Sequence, residues 1–153
     1  MQHDWFRAEV TSEPLDINAY VSFVSTPAAG AISTFSGVTR DNFDGKAVLR
    51  LEYEAYIPMA IKKLEEICME IKRKWEVSRV AMAHRTGTVL IGEPSVIIAI
   101  SSAHRKPALE AVHWAIDELK ATVPIWKREF FEDGSLWKEN EESRHLQLVR
   151  RIQ

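Results

Sequence analysis

The chain has 153 residues, a formal net charge of −2, and 46% apolar and 27% charged residues. These proportions are typical of a soluble globular domain and exclude disordered, collagen-like and coiled-coil chains. The 20 basic and 22 acidic side chains nearly balance, which argues against a general nucleic-acid binder because such proteins are usually strongly basic. The longest apolar run, residues 96–100, is too short to span a membrane, and the N-terminus has no signal-peptide pattern. We therefore expect one cytosolic domain over residues 1–153, in which residues 139–153 form a short helix or a flexible tail.

The single cysteine, Cys68, excludes an internal disulfide and any metal site built from several cysteines. It shares a helical apolar stripe with Leu64, Ile67 and Ile71, so we expect a buried structural side chain and not a nucleophile. No group of histidines, cysteines and carboxylates has the spacing of metal ligands. The sequence therefore calls for no metal and no redox cofactor.

The hydrophobic pattern, taken in chain order, predicts strands and helices in the order βαββαββαβ. The predicted strands are residues 5–11, 30–40, 47–56, 77–85, 94–102 and 124–131, and the predicted helices are residues 16–25, 58–75 and 107–122. Asp44-Gly45 is a turn signal between the second and third strands, which predicts a central β-hairpin. The strand at 94–102 is apolar throughout its centre, as is typical of a strand covered on both faces. This order indicates an α+β domain with a mixed or antiparallel sheet.

A cluster of potential cations stands where the third helix is predicted to begin. His104, Arg105 and Lys106 follow the most apolar strand and precede Pro107. The unpaired N–H groups of a helix N-terminus favour anions, and three cations at the same end repel one another until an anion binds. The segment therefore indicates a phosphate or carboxylate site in which Arg105 contacts two oxygens. The alternative is that Arg105 and Lys106 point into solvent and that His104 pairs with a nearby carboxylate.

Two lysines flank the predicted turn between the third helix and the last strand. Lys120 lies in the last helical turn, and Lys127 lies on the strand face that it shares with Glu129. If the turn brings the two ammonium groups together, their repulsion favours the neutral amine or proton donor that acyl chemistry requires. The alternative is one lysine favoured by the helix macrodipole and another exposed on a strand. Arg40, at the end of the second predicted strand, is a further candidate, although arginines at strand ends are usually solvated.

Four segments together resemble one known family. Residues 30–40, 51–56, 101–105 and 120–129 resemble, in the same order, segments of the large, catalytic subunit of molybdopterin synthase. The resemblance is collinear from about residue 30 to residue 137, and its most specific parts are Ser-Ala-His-Arg and Lys-x6-Lys-Arg-Glu. It implies an α/β-hammerhead type of fold for the single α+β domain.

The resemblance also implies a reaction and its partners. Members of the family convert cyclic pyranopterin monophosphate into molybdopterin, installing the two sulfurs of a dithiolene in molybdenum cofactor biosynthesis. The sulfur arrives as a thiocarboxylate on the C-terminal Gly-Gly tail of a small ubiquitin-like carrier subunit. Two large subunits form a central homodimer and one carrier docks on each, which makes a heterotetramer. A lone structural cysteine agrees with sulfur that is brought by the partner.

Residue by residue, the resemblance implies a set of site positions. Lys120 and Lys127 match the catalytic lysines of the family, which also contact the substrate. The other matching substrate-binding positions are Phe35, Arg40, His104, Arg105, Arg128 and Glu129. The acidic segment 139–142 departs from the family pattern, and no contact is assigned there.

Arg105 and Lys120 stand at opposite ends of one predicted helix. At a rise of 1.5 Å per residue the helix separates them by roughly 20 Å, which is more than a compact pterin phosphate reaches. We therefore expect a composite pocket, with His104 and Arg105 from one large subunit and Arg40, Lys120 and Lys127 from the other.

Two other functions fit some of these residues. A non-catalytic module that binds a phosphorylated metabolite or an acidic partner tail needs the cations at the helix start but not the paired lysines. A different enzyme on the same scaffold, such as a phosphate-ester lyase, works without a thiocarboxylate carrier. Lys120→Ala separates a catalyst from a binding module, because the binding module keeps its ligand affinity.

Overall fold

The computed structural model describes residues 3–139 of the chain. Its helices are α1 (Ile17–Val24), α2 (Ile57–Lys74) and α3 (Arg105–Thr122). Its strands are β1 (Phe6–Thr11), β2 (Ala31–Val38), β3 (Asn42–Phe43), β4 (Lys46–Ala55), β5 (Arg79–Arg85), β6 (Gly87–Leu90), β7 (Pro94–Ser102), β8 (Ile125–Phe131) and β9 (Leu136–Glu139). The predicted α+β class, with mixed and antiparallel sheets, is confirmed.

A four-stranded sheet forms the centre of the fold. Its strand order is β1-β5-β7-β2, with β1 parallel to β5 and the other pairs antiparallel. Helices α2 and α3 cover the face that carries Met82 and Ile98, whereas α1 covers the face that carries Ala83 and Ala99. The prediction that β7 is covered on both faces is therefore confirmed. Most of the hydrophobic core lies between this sheet and the pair α2 and α3.

The second sheet is built around β4. This strand pairs antiparallel with β6 on one side and with β8 on the other, and β8 in turn pairs with β9. A small separate core of Val48, Leu51 and Phe131 supports the sheet. Because α3 leads directly into β8, the second sheet stands beside the C-terminal end of that helix.

The strands around Asp44-Gly45 pair differently from the prediction. Instead of forming a hairpin with β4, β2 lies in the first sheet, antiparallel to β7. Asp44 and Gly45 do make a tight turn, with φ of 52° and 78°, but the turn joins β4 to the two-residue strand β3. The chain leaves the first sheet at the buried residue Thr39, whose N–H donates to the carbonyl oxygen of Glu93 (3.2 Å). β2 is therefore the end strand of the first sheet, and β4 belongs to the second.

Local boundaries also differ in three places. The sequence pattern does not predict β6 and β9, which are four residues long and are stabilised by their pairing with β4 and β8. The predicted start of the third helix at Pro107 is wrong by two residues, because α3 begins at Arg105 with His104 as its N-cap. The predicted tail lies outside the described residues except for Glu139, the last residue of β9. Within residues 3–139 no helix has both the length and the apolar character that a membrane span requires.

Candidate functional site

A cavity of about 130 Å³ lies between the two sheets, beside the C-terminal half of α3. Its walls come from β2, β4, β5, β7, β8 and α3, which are far apart in sequence. The polar and aromatic lining residues are Phe35, Arg40, Asn42, Tyr53, His84, Ser95, Lys120, Lys127 and Glu129. The apolar lining residues include Val48, Leu51, Val96, Ile116, Leu119 and Ile125. A mostly apolar cavity with a few convergent polar groups is the usual form of a small-molecule site.

Lys120 and Lys127 line this one cavity although they lie on different elements. Helix α3 ends at Thr122 and β8 begins at Ile125, so a short connection turns the chain back beside the end of the helix. The alternation of β8 directs Lys127 and Glu129 to the cavity side, and Lys127 is only 8% exposed despite its charge. The fold therefore brings together the two lysines that the sequence places seven positions apart.

Glu129 supplies the negative charge in the cavity wall. Its Oε2 lies 3.9 Å from Nζ of Lys127. Its Oε1 is buried and has no hydrogen-bond partner among the described residues. Burial raises the pKa of the Glu129 carboxyl above its usual value, and the positive charges of Lys127 and Arg40 oppose that shift. A buried acceptor in this state is suited to an N–H or O–H donor of a bound ligand.

Phe35 forms an aromatic part of the wall, and Gly37 makes room for it. A Cβ at Gly37 would lie 2.7 Å from Cγ1 of Val96 and 3.3 Å from Cε2 of Phe35. Only glycine lets β2 approach β7 this closely while the Phe35 ring stays beside it. An aromatic wall suits a planar heterocycle, because stacked and edge-on ring contacts add to the burial of apolar area.

Arg40 is exposed and also lines the cavity. It follows Thr39, the buried residue at which the chain leaves β2. An exposed guanidinium at the edge of a cavity can contact two oxygens of a phosphate or carboxylate.

Arg128 lies on the face of β8 opposite to Lys127 and Glu129. Its guanidinium pairs with the carboxylates of Glu52 (3.5 Å) and Glu54 (3.6 Å) on β4. It is not among the residues that line the cavity. The structure therefore places this predicted site residue next to the cavity strand but away from the cavity.

His104 and Arg105 occupy a separate place, at the exposed start of α3. They line a surface depression together with Lys106, Leu109 and Glu110. His104 is the N-cap residue, but its side chain makes no capping hydrogen bond; the Oγ of Ser102 accepts one from the N–H of Ala108 (3.2 Å). About 22 Å of helix separates Arg105 from Lys120. Within one chain the structure does not bring these two groups of site residues together.

His84 and Tyr53 also line the cavity, and the sequence pattern assigns neither of them a function. His84 ends the face of β5 that begins with Val80 and Met82, both fully buried. A titratable ring at the end of an otherwise apolar strand face is a sequence signal that could have marked His84 as a candidate site residue. Tyr53 is harder to find, because aromatic residues alternate along many half-buried strands.

The described side chains offer no ligand set for a metal ion: no three or more His, Cys, Asp or Glu groups are arranged to hold one. Cys68 is fully buried in α2, and burial raises the pKa of its thiol well above the usual value. The predicted structural role of Cys68 agrees with this environment.

The chain is similar to known proteins over most of its length. The sequence model of one family, described as MoaE protein, matches residues 10–122. The chain belongs to the MoaE family. The molybdopterin synthase catalytic subunit of Arabidopsis thaliana is 54% identical over 128 residues, and the match spans 84% of this chain but only 65% of that protein. The catalytic subunit of Dictyostelium discoideum is 51% identical over 142 residues, and the match spans 90% of each chain.

The fold of this chain is also similar to solved structures of molybdopterin synthase proteins. The crystal structure of molybdopterin synthase from Staphylococcus aureus has a TM-score of 0.82 and 41% identity, covering 86% of this chain and 96% of that one. A complex of subunits 1 and 2 of molybdopterin-converting factor from Helicobacter pylori has a TM-score of 0.70 and 25% identity, covering 91% of both chains. The family and the enzyme class that the motifs predict, a molybdopterin synthase catalytic subunit, are therefore confirmed.

Proposed function

We propose that this MoaE family chain transfers sulfur from the thiocarboxylated tail of a small carrier subunit to cyclic pyranopterin monophosphate, forming the dithiolene of molybdopterin. The main support for the proposal is that Lys120, Lys127 and Glu129 line one cavity, with Lys127 and Glu129 buried. A binding module for anions needs cations but has no use for a desolvated lysine beside a buried carboxyl group. The cavity therefore favours a catalyst over a binding module.

The two lysines act on charge that develops during sulfur transfer. A thiocarboxylate and the tetrahedral species formed from it carry negative charge on sulfur and oxygen. Ammonium groups stabilise that charge more strongly in a desolvated cavity than in water, because the effective dielectric constant is lower. Lys120 and Lys127 also protonate the oxygens that leave the pterin as sulfur replaces them.

Glu129, Phe35 and Arg40 bind the substrate. The buried Oε1 of Glu129 accepts a hydrogen bond from a donor on the pterin, and the ring of Phe35 packs against the flat heterocycle. Arg40 contacts an anionic group at the edge of the cavity. Arg128 remains a predicted contact, and its position on the other face of β8 means that only an approach from outside the cavity reaches it.

The site is shared between two copies of the chain. His104 and Arg105 bind the phosphate of a substrate held in the cavity of the other copy, because α3 keeps them too far from Lys120 of their own chain. Exposure of both side chains at the helix start supports this arrangement, since they are available to a second surface. The unpaired N–H groups of α3 add to the attraction for phosphate.

The partner of the chain is the small carrier subunit. The Helicobacter pylori relative was solved as a complex of the two subunits of its converting factor, which supports a two-subunit assembly. We propose a homodimer of large subunits with one carrier on each. The burial of Cys68 makes it unsuited to donate the sulfur, which supports a carrier tail as the source. The cytosol stays the predicted compartment.

Reconstitution tests this function. The purified chain is incubated with a thiocarboxylated carrier and cyclic pyranopterin monophosphate, and dithiolene formation is followed by mass. We expect product with the thiocarboxylate and none with a carrier that ends in an ordinary carboxylate. Product formation without any carrier would instead indicate a phosphate-ester lyase or a related enzyme.

Mixing two impaired variants tests the shared site. At a pterin concentration well below KM, Lys120→Ala homodimers are expected to be inactive and Arg105→Ala homodimers about 10-fold less active than the wild type. A mixed dimer regains one complete site of its two, so activity returns to at most half of the wild-type value. No recovery, with mixed dimers demonstrated by mass, contradicts sharing of the site.

A further inference from the structure

The transfer of sulfur leaves one chemical step without an assigned group, provided that the proposed function holds. When the thiocarboxylate sulfur bonds to a pterin carbon, the carrier tail is joined to the pterin through an acyl–sulfur bond. The sulfur stays on the pterin only if the acyl carbon is then taken by another nucleophile. Water is the nucleophile that returns the tail as a carboxylate, and its attack at neutral pH is accelerated by a base.

His84 is a buried titratable side chain in the same cavity. It is 5% exposed, and it lies on β5 opposite Val96 of β7. Its ring meets that of Tyr53 edge to face, with centroids 5.0 Å apart and planes at 67°. Tyr53 is the register partner of Lys127 on β8. His84 is therefore linked through one aromatic contact to the strand position that carries a catalytic lysine.

A contact with the backbone assigns the tautomer of His84. Nδ1 lies 2.8 Å from the carbonyl oxygen of Arg85, and a carbonyl oxygen can only accept a hydrogen bond. Nδ1 of the neutral ring therefore carries the hydrogen, and Nε2 carries the lone pair. The side chain of Arg85 points to another partner, because its guanidinium pairs with Glu93 (3.1 Å).

We propose that His84 is the general base that activates the water which cleaves the acyl–sulfur bond. Nε2 takes one proton of the water as its oxygen bonds to the acyl carbon. The carbon–sulfur bond then breaks, and its electron pair stays on the sulfur as a pterin thiolate. The tail leaves as a carboxylic acid and ionises, and the imidazolium returns its proton to the thiolate or to solvent. No oxidant or reductant takes part.

The other groups in the cavity are less suited to this step. The titratable and charged residues that line it with His84 are Arg40, Tyr53, Lys120, Lys127 and Glu129. A guanidinium cannot accept a proton, and an ammonium group can accept one only after it has given up its own, so the role assigned here to Arg40, Lys120 and Lys127 is to stabilise the oxyanion that forms. Glu129 is engaged by the charge of Lys127, with 3.9 Å between Nζ and Oε2. Glu129 is nevertheless the competing base that an experiment has to exclude.

The test compares the wild-type complex with His84→Asn. Asparagine keeps a donor near the Arg85 carbonyl but has no group that accepts a proton at neutral pH. In single turnovers with carrier and cyclic pyranopterin monophosphate, we expect the rate to fall about 100-fold or more. We also expect a carrier–pterin adduct to accumulate by intact mass, and the acid limb of the pH–rate profile to disappear. The Kd of the pterin should stay within about threefold of the wild-type value, whereas the steady-state KM should fall together with kcat, because the slowed step follows adduct formation.

Two further variants make the result specific. His113→Asn removes an exposed histidine of α3 and should leave rate and profile unchanged. His84→Ala opens space in the cavity wall, and added imidazole should restore part of its rate. Should the asparagine variant fail to assemble with the carrier, His84→Gln is judged by the same criteria.

The outcomes separate this inference from the function on which it rests. A His84→Asn rate within about threefold of wild type overturns it, as does a slower rate that keeps the acid limb. Loss of the acid limb in Glu129→Gln, with the limb intact in His84→Asn, assigns the base to Glu129 and also overturns it. A wild-type complex that forms no dithiolene contradicts the proposed function itself.

Discussion

The two groups of cations in this chain differ in how much water surrounds them. Lys127 is almost fully buried, shares a cavity with Lys120 and lies near the carboxyl group of Glu129. His104 and Arg105 are exposed at the start of α3. Charges in a desolvated cavity act strongly on a bound molecule, whereas exposed charges are screened by water and salt. The fold of one chain positions the buried group, whereas the proposed shared site requires a second surface to remove water from the exposed group.

Removal of a buried cation should have the largest effect. Lys127→Ala takes a positive charge from the cavity, so we expect kcat for dithiolene formation to fall by about 10² to 10⁴. Because the site is desolvated, the loss should be nearly the same at low and high salt. Lys62→Ala, on the exposed face of α2, is the matched control and should leave kcat unchanged. Equal activity of the two variants would contradict a catalytic role for Lys127.

Removal of an exposed cation should act on binding instead. Arg105→Ala loses a charge-assisted contact with phosphate, so we expect KM for the pterin to rise about 10-fold. The wild-type KM should itself rise with ionic strength, and the variant should show a weaker salt dependence. Steady-state kinetics at several salt concentrations measures both effects. A lower kcat with an unchanged KM would place Arg105 among the groups that act on the chemistry.

Gly30, just before β2, lies close to the backbone of Ala103, the residue before His104. Adding a methyl group at Gly30 should therefore disturb this contact. A Cβ at Gly30 would lie 2.5 Å from the carbonyl oxygen of Ala103, next to His104. Gly30→Ala must therefore shift the backbone, and we expect the free energy of unfolding to fall by about 1–3 kcal/mol. Urea denaturation measures the loss, with Ala28→Ser in the exposed turn as a control that should change little. A rise in KM with kcat preserved would show that the displaced segment is the one that carries His104.

The buried carboxyl group of Glu129 should also make a small contribution to the pH dependence of the free energy of unfolding. The carboxyl group of Glu129 has a raised pKa in the folded chain, so the folded state binds its proton more tightly than the unfolded state does. The free energy of unfolding should therefore decrease as the pH rises from the ordinary value of 4.5 through the raised one. Glu129→Gln keeps an acceptor near Lys127 and should remove this contribution. Urea denaturation of both proteins at a series of pH values measures the difference, and parallel curves would contradict it.

The sequence predicts well those features that depend on neighbouring residues. The apolar run of β7 and the α2 stripe that contains Cys68 follow from periodicity, and the structure has both. The face of β8 that Lys127 and Glu129 share follows from strand alternation, and both side chains line the cavity. The separation of Arg105 from Lys120 follows from helical rise alone.

Features that depend on long-range pairing could not be predicted in the same way. The turn at Asp44-Gly45 suggests a hairpin of its flanking strands, but β2 gains more by pairing with the buried strand β7. His84 lines the cavity because residues of β4, β5 and β8 lie together around it. No local sequence pattern predicts that these three strands lie close to one another. The sequence does not show why Gly30 and Gly37 must be glycine. The reason is the close approach of the Ala103 carbonyl to Gly30 and of Val96 to Gly37.

Helix α3 carries an exposed basic end and a cavity-lining end, so the number of its residues sets both distance and rotation. One inserted residue lengthens a helix by about 1.5 Å and turns everything beyond it by about 100°, which would swing Lys120 out of the cavity. Four inserted residues nearly restore the rotation but add about 6 Å. Insertions and deletions between Arg105 and Lys120 should therefore be tolerated far less than changes of length in the surface turns. Under the proposed function, α3 is a spacer of fixed length and rotation between the residues that bind phosphate and a catalytic lysine.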